Sequence, residues 1–154
     1  MSAPATGLRV VVQEAPFDFG AECAAFAEGR TDMGAVVTFA GMVRDDTGTL
    51  DAMEIEHYPG MTERALEGIA AEAQARWSLG EVLVIHRYGR MAPGERIMMV
   101  ATAAPHRGDA FAAAEYLMDY LKSRAPFWKK EHGKTGETGW VAAKDSDEDA
   151  LTRW

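Results

Sequence analysis

Three of the chain's five lysines stand in Leu121-Lys122-Ser123-Arg124-Ala125-Pro126-Phe127-Trp128-Lys129-Lys130, where cations alternate with a proline and two large aromatics. All five (Lys122, Lys129, Lys130, Lys134 and Lys144) fall in the last third of the sequence. Ammonium groups fixed beside apolar walls suit an anionic small molecule, because partial desolvation strengthens each charge and lowers a lysine's pKa toward neutrality. Lys122 follows Met118 by four residues, so the two share one helix flank at the seam between core and solvent. Two readings stay open. Phe127 and Trp128 could wall a cleft into which Lys129 points, or the lysines could snorkel from a helix C-terminus that favours cations.

Other constellations carry the same duality. Phe39-Ala40-Gly41-Met42-Val43-Arg44 leaves a strand through a glycine and presents Arg44, either as a two-pronged phosphate ligand or as an ordinary loop arginine. Pro105-His106-Arg107-Gly108-Asp109 opens a helix whose free N–H groups favour an anion, with His106 and Arg107 adding charged donors. Alternatively, Asp109 caps that helix and Arg107 faces water. His106 and Lys122 are separated by about 24 Å along one straight helix. One small substrate could meet both only if a two-fold dimer set the start of one copy's helix against the end of the other's.

Weaker candidates read as structure. His57 and His86 sit in strand patterns with no acidic or cysteine partner at ligand spacing, so no metal or cofactor is expected. Cys23 falls on an apolar helix stripe and reads as a small core residue. Gly133-Lys134-Thr135 has Trp128 where a phosphate loop needs glycine, and no strand is read before it.

These residues must be positioned by a chain of 154 residues, which suits one domain spanning 1–154. With 24 acidic and 16 basic side chains the formal charge is -8, which argues against bulk nucleic-acid binding and requires any anion site to be local. A single cysteine excludes an internal disulfide and fits a reducing cytoplasm. No apolar run reaches membrane-spanning length, and Met1 to Arg9 lacks an apolar signal core. Strands are predicted at Leu8 to Gln13, Gly34 to Ala40, Asp51 to His57, Glu81 to Arg87, Arg96 to Ala103 and Trp140 to Ala143. The Glu81 and Arg96 strands are expected to pair antiparallel.

Three main helices are predicted. The first carries Phe19, Cys23, Phe26 and Ala27. The second starts with Thr62 as N-cap and buries Leu66, Ile69, Ala73 and Trp77. The third runs from Pro105 to about Arg124 with Phe111, Ala114, Leu117 or Met118, and Leu121 facing inward, and Pro126 stops it. An acidic tail follows. The class is α+β with a largely antiparallel sheet.

Phe39–Arg44, Glu56-His57-Tyr58-Pro59-Gly60-Met61, Ile85-His86-Arg87, Pro105-His106-Arg107 and Asp119–Glu131 together resemble the large, catalytic subunit family of molybdopterin synthase (MoaE). The resemblance covers about Gly34 to Glu131, with a weaker echo in Trp140-Val141 and Arg153-Trp154. It implies an α/β hammerhead fold and a sulfurtransferase of molybdenum cofactor biosynthesis. Such an enzyme converts cyclic pyranopterin monophosphate (precursor Z) to molybdopterin by installing a dithiolene. The implied sulfur donor is a small ubiquitin-like carrier (MoaD-like) ending in a Gly-Gly thiocarboxylate. The implied assembly is a heterotetramer with a central homodimer and a carrier at each end.

Carried over by position, the resemblance makes Lys122 and Lys129 catalytic. It makes Met42, Val43, Arg44, His106, Arg107, Lys122, Lys129, Lys130 and Glu131 substrate-binding. Family members often carry a basic residue where this chain has Met42, so any contact there must use backbone or apolar surface. The loop from Gly133 to Gly139 follows no family pattern. A noncatalytic adaptor for a ubiquitin-like protein, or a phosphate or nucleotide sensor, would also explain the cations.

Overall fold

The computed structural model describes residues 7–154, so the part of the expected leaderless N-terminus that falls on residues 1–6 lies outside the described residues. The chain runs β1 (Leu8–Gln13), α1 (Phe19–Ala25), β2 (Ala35–Met42), β3 (Leu50–His57), α2 (Met61–Trp77), β4 (Glu81–Arg87) and β5 (Gly89–Met91). It continues through β6 (Arg96–Ala104), α3 (Arg107–Arg124), β7 (Phe127–Gly133), β8 (Thr138–Trp140), α4 (Asp145–Ala150) and a 3-10 turn (Leu151–Arg153).

Two four-stranded sheets form, in the orders β1-β4-β6-β2 and β5-β3-β7-β8. Among the described residues only the β1–β4 pairing is parallel, and β4 and β6 pair antiparallel as the intervening Pro-Gly turn predicts. Both strands are almost wholly buried because both faces of their sheet are covered. Val82, Val84, Met98 and Val100 face the main core with α2 and α3, while Leu83, Ile85, Met99 and Ala101 face Phe17, Phe19, Cys23 and Phe26 of the α1 side. Cys23 is thus the small packing residue expected.

The main core also takes Leu50, Ile55 and Met91 from the second sheet, so the two sheets share it. Each fully buried aliphatic side chain contributes roughly 1.5–3 kcal/mol. An exposed pair such as Arg44–Asp46 contributes at most about 1 kcal/mol. Apolar packing therefore holds the scaffold, and surface charges are left for other work.

Several local expectations are corrected. Thr62 does not cap α2. Gly60 does, at φ +85°, with its N–H donated to Glu63 at 3.1 Å. Thr62 sits fully buried in the first turn, donating to the Tyr58 carbonyl and accepting the Tyr58 N–H. Phe111 is 63% exposed, while Ala110 and Ala113 join the expected Ala114, Leu117 and Leu121 on the core face of α3. His106 rather than Asp109 is the N-cap of α3. Residues 127–133, for which the sequence pattern gives no strand, form one, the last strand lies at Thr138–Trp140, and the acidic tail is helical. Among the described residues no helix is long and apolar enough to cross a membrane.

Candidate functional site

Strand alternation decides which lysine goes inward. In the β3–β7 register Lys129 opposes Ile55 and Phe127 opposes His57, whereas Lys130 opposes Glu54. Opposed residues share a face of a sheet. Ile55 is buried in the core, so Lys129 and Phe127 point inward and Lys130 points out. Lys130 stands 5.1 Å over the Trp140 ring on that outer face, where His132 also meets Glu54 at 2.8 Å. Glu131 is exposed beside Met53.

Lys129 is half-buried, and burial holds its pKa below the ordinary lysine value, with the like charge of Lys122 the next largest cause. Asp147 opposes that shift and Lys144 adds to it, so the helical tail lies within electrostatic reach of Lys129. Lys122 occupies the exposed last turn of α3, which ends before Pro126 and turns directly into β7. The sequence block with its proline therefore works as a hairpin-like joint. It sets one lysine on a helix and the other on a strand, with their charges converging.

Pairing registers place more groups at this end. His86 opposes Met98 and Met42 opposes Arg96, both near the start of β6, with a bulge between Gly41 and Met42. Arg44 follows in the loop, exposed, with its Nε 3.2 Å from Asp46. Met42 is 54% exposed. Val43 is buried, and its N–H and carbonyl are occupied by Glu95 and Gly94, so it anchors the loop without offering a group to a ligand. Arg87 is buried on the opposite face of β4, satisfied by Glu95 at 3.0 Å and by the carbonyls of Glu14 and Arg96.

His106 and Arg107 are exposed at the far end of α3, which is unbroken over Arg107–Arg124. Within one chain they do not join Lys122, as the rise of a helix requires. Two shallow surface recesses lie elsewhere, one beside β1, α1 and β4 and one beside Pro16, Phe17 and Glu95, and neither is lined by Lys122 or Lys129.

The sequence reading missed an aromatic cluster beside the lysines. The His86 ring stacks on Phe127 with centroids 3.8 Å apart and 16° between planes. His57 lies 6.3 Å from Phe127 and 4.4 Å from Tyr88. Burial lowers the His86 pKa to about 4, opposed by its hydrogen bond to the Arg87 carbonyl and reinforced by Lys129, His57 and Lys122. The available signal was the inward parity of His57 and His86 in their strands. The pairing that brings both to Phe127 was not visible.

Comparisons with known proteins agree with one another. The sequence pattern of the family described as MoaE protein matches residues 12–124. The chain is 66% identical over 147 residues to the molybdopterin synthase catalytic subunit of Cereibacter sphaeroides, covering 96% of this chain and 100% of that protein. It resembles the solved molybdopterin cofactor biosynthesis protein E from Burkholderia multivorans with a TM-score of 0.80 at 52% identity, covering 96% of each chain. Molybdopterin synthase from Staphylococcus aureus matches with a TM-score of 0.77 at 30% identity, over 86% of this chain and 96% of that one.

Proposed function

The chain belongs to the MoaE family, and from that premise we propose that it is the catalytic subunit of a molybdopterin synthase. Its reaction converts cyclic pyranopterin monophosphate to molybdopterin, with sulfur drawn from the thiocarboxylated C-terminus of a small ubiquitin-like carrier. The observation that carries this reading is the convergence of Lys122 and Lys129. A half-buried lysine whose pKa is lowered by burial and by a neighbouring ammonium can exchange protons closer to neutral pH than a free one.

In this reading the thiocarboxylate sulfur attacks a substrate carbon beside Lys122. The carrier's acyl group then leaves by hydrolysis, and the sulfur stays on the substrate. Lys122 and Lys129 stabilise developing negative charge and relay protons as the cyclic phosphate opens. Arg44 holds the phosphate together with His106 and Arg107 of a second copy of the chain. The unbroken α3 supports that division, because its two ends are too far apart to serve one small molecule. Met42 contributes apolar surface, Val43 anchors the loop from the core, Glu131 lies exposed on the face of the strand that carries Lys129, and Lys130 lies on the outer face.

The active assembly is a homodimer carrying one sulfur carrier at each end. Each chain acts as one domain in the cytoplasm, a reducing compartment compatible with the unpaired Cys23. Reconstitution from purified substrate and thiocarboxylated carrier tests the assignment. Dithiolene formation is expected to fall at least 100-fold for Lys122→Ala and for Lys129→Ala, the scale of a lost proton-transfer group. Far-ultraviolet dichroism should stay that of the unaltered protein. Turnover within a few-fold of normal for Lys122→Ala would remove it from the mechanism.

A further inference from the structure

The lysines and arginines of the proposed site are hydrogen-bond donors when charged, and they satisfy a phosphate's oxygens. A pterin ring system also carries N–H donors, which need acceptors. The cluster at Phe127 supplies them. Nδ1 of His86 lies 2.8 Å from the Arg87 carbonyl, which can only accept, so that nitrogen carries the proton. One face of the ring is covered by Phe127. Nε2 is then an unprotonated, in-plane acceptor with no partner among the described residues. His86 is only 7% exposed, yet Nε2 is not among the fully enclosed orphan atoms, which are Glu81 Oε2 and Ser123 Oγ. It therefore retains an opening.

His57 repeats the arrangement independently. The single Thr62 hydroxyl proton goes to the Tyr58 carbonyl at 2.9 Å, and the same oxygen accepts the Tyr58 N–H at 3.0 Å. Its remaining lone pair meets His57 Nδ1 at 3.1 Å, which fixes the proton on that nitrogen. With the proton on Nδ1, it is Nε2 of His57 that is left to meet a partner. Two imidazoles with Nδ1–H tied back flank Phe127, two residues along the strand from Lys129.

We propose that His86, with His57 beside it, forms the acceptor side of the sulfur-transfer site, Nε2 of His86 receiving an N–H of the bound pterin. This rests on the function proposed above and adds a substrate-binding residue to it. The low pKa of His86 fits the role, since burial, reinforced by the two lysines nearby, keeps the ring an acceptor at neutral pH. An imidazole that titrates so low is a weak base, so its contribution is to hold the substrate and not to move its protons.

Two substitutions separate this role from packing. His86→Phe keeps a flat ring against Phe127 and deletes the acceptor, whereas His86→Gln places an amide oxygen near the Nε2 position. At saturating thiocarboxylated carrier, His86→Phe is expected to raise KM for cyclic pyranopterin monophosphate about tenfold, the effect of one hydrogen bond, with kcat within twofold. His86→Gln is expected to recover most of that loss. An unchanged KM in His86→Phe, or equal losses in both variants, would overturn the proposal.

If His86→Phe does not fold, the imidazole nitrogen spectrum of the unaltered protein decides. Adding the cyclic pyranopterin monophosphate should move the His86 Nε2 resonance upfield as it accepts a proton donor, and a stationary resonance overturns the assignment. The two proposals fail differently. Failure here leaves Lys122→Ala inactive and His86→Phe normal, whereas active Lys122→Ala in the same assay overturns both.

Discussion

Lys129 and Lys130 are neighbours in sequence and face opposite sides of β7, so the same side chain meets two environments. Inward, beside Ile55, burial and Lys122 hold the ammonium pKa down, while outward Lys130 rests over Trp140 with Glu54 opposite. His86 shows the same logic in reverse, since burial keeps it uncharged. Its pKa falls from the ordinary 6.5 to about 4 in the fold, so the unfolded chain binds a proton where the folded one does not. Stability should therefore decline as pH drops from about 6.5 toward 4, by up to ~3 kcal/mol from this group, and be unaffected by it above that window. Denaturant unfolding at pH 7.5 and pH 4.5 checks the sign. The unaltered protein should lose more stability between those values than His86→Phe does, and equal losses would place the titration elsewhere.

At the scale of elements, the joint between α3 and β7 and the tail that covers α3 matter most. Pro126 ends the helix, and the strand then begins at once, which fixes the offset between Lys122 and Lys129. The tail returns to α3 through Arg124–Glu148 at 2.8 Å and through Arg153 to Glu115 and Asp119 at 2.6 and 2.7 Å. The pairs with Glu148 and Glu115 are largely exposed and contribute little. Trp154 does more, meeting Trp77 and Tyr116 edge-on at 5.4 and 5.6 Å and donating to Asp119 at 2.6 Å. Trp154→Ala is expected to cost roughly 2–3 kcal/mol, since it opens an aromatic contact and strands a half-buried carboxylate. Chemical denaturation measures this, and a loss below 0.5 kcal/mol (roughly the effect of a surface substitution) would show the tail to be merely laid on the surface.

For the whole molecule, a net charge of -8 coexists with a local cluster of cations, and α3 separates that cluster from His106 and Arg107. Sharing between two copies resolves the separation and makes a quantitative prediction. Chains carrying His106→Ala with Arg107→Ala and chains carrying Lys122→Ala should each be inactive alone. Random reassortment makes half of the dimers mixed, and each mixed dimer has one intact site, so about a quarter of full activity should return. Mixing after brief unfolding and refolding tests this in the dithiolene assay. No recovery, with dimers formed, would mean that each site is built from one chain.

Much of this protein was legible in its sequence because the signals were local. Period-two and helical spacing, the Pro93-Gly94 turn and the Pro126 stop gave β4, β6 and α3 to within a residue or two. The block from Leu121 to Lys130 marked the lysines. The misses share a physical cause. A strand such as Phe127–Gly133, rich in charges, is stabilised by pairing with β3 and β8, and that pairing has no signature in the segment itself. Phe111 carries the helical period but lies just outside the covered stripe.

Chemical identity and the strict alternation of strand residues are properties of the chain, so sequence alone determined which groups were available and which shared a face. Only the tertiary structure decided which faces met. The burial of His86 and its contact with Phe127 arise between residues 41 apart, where pairing energy and excluded water, rather than neighbouring residues, set the outcome.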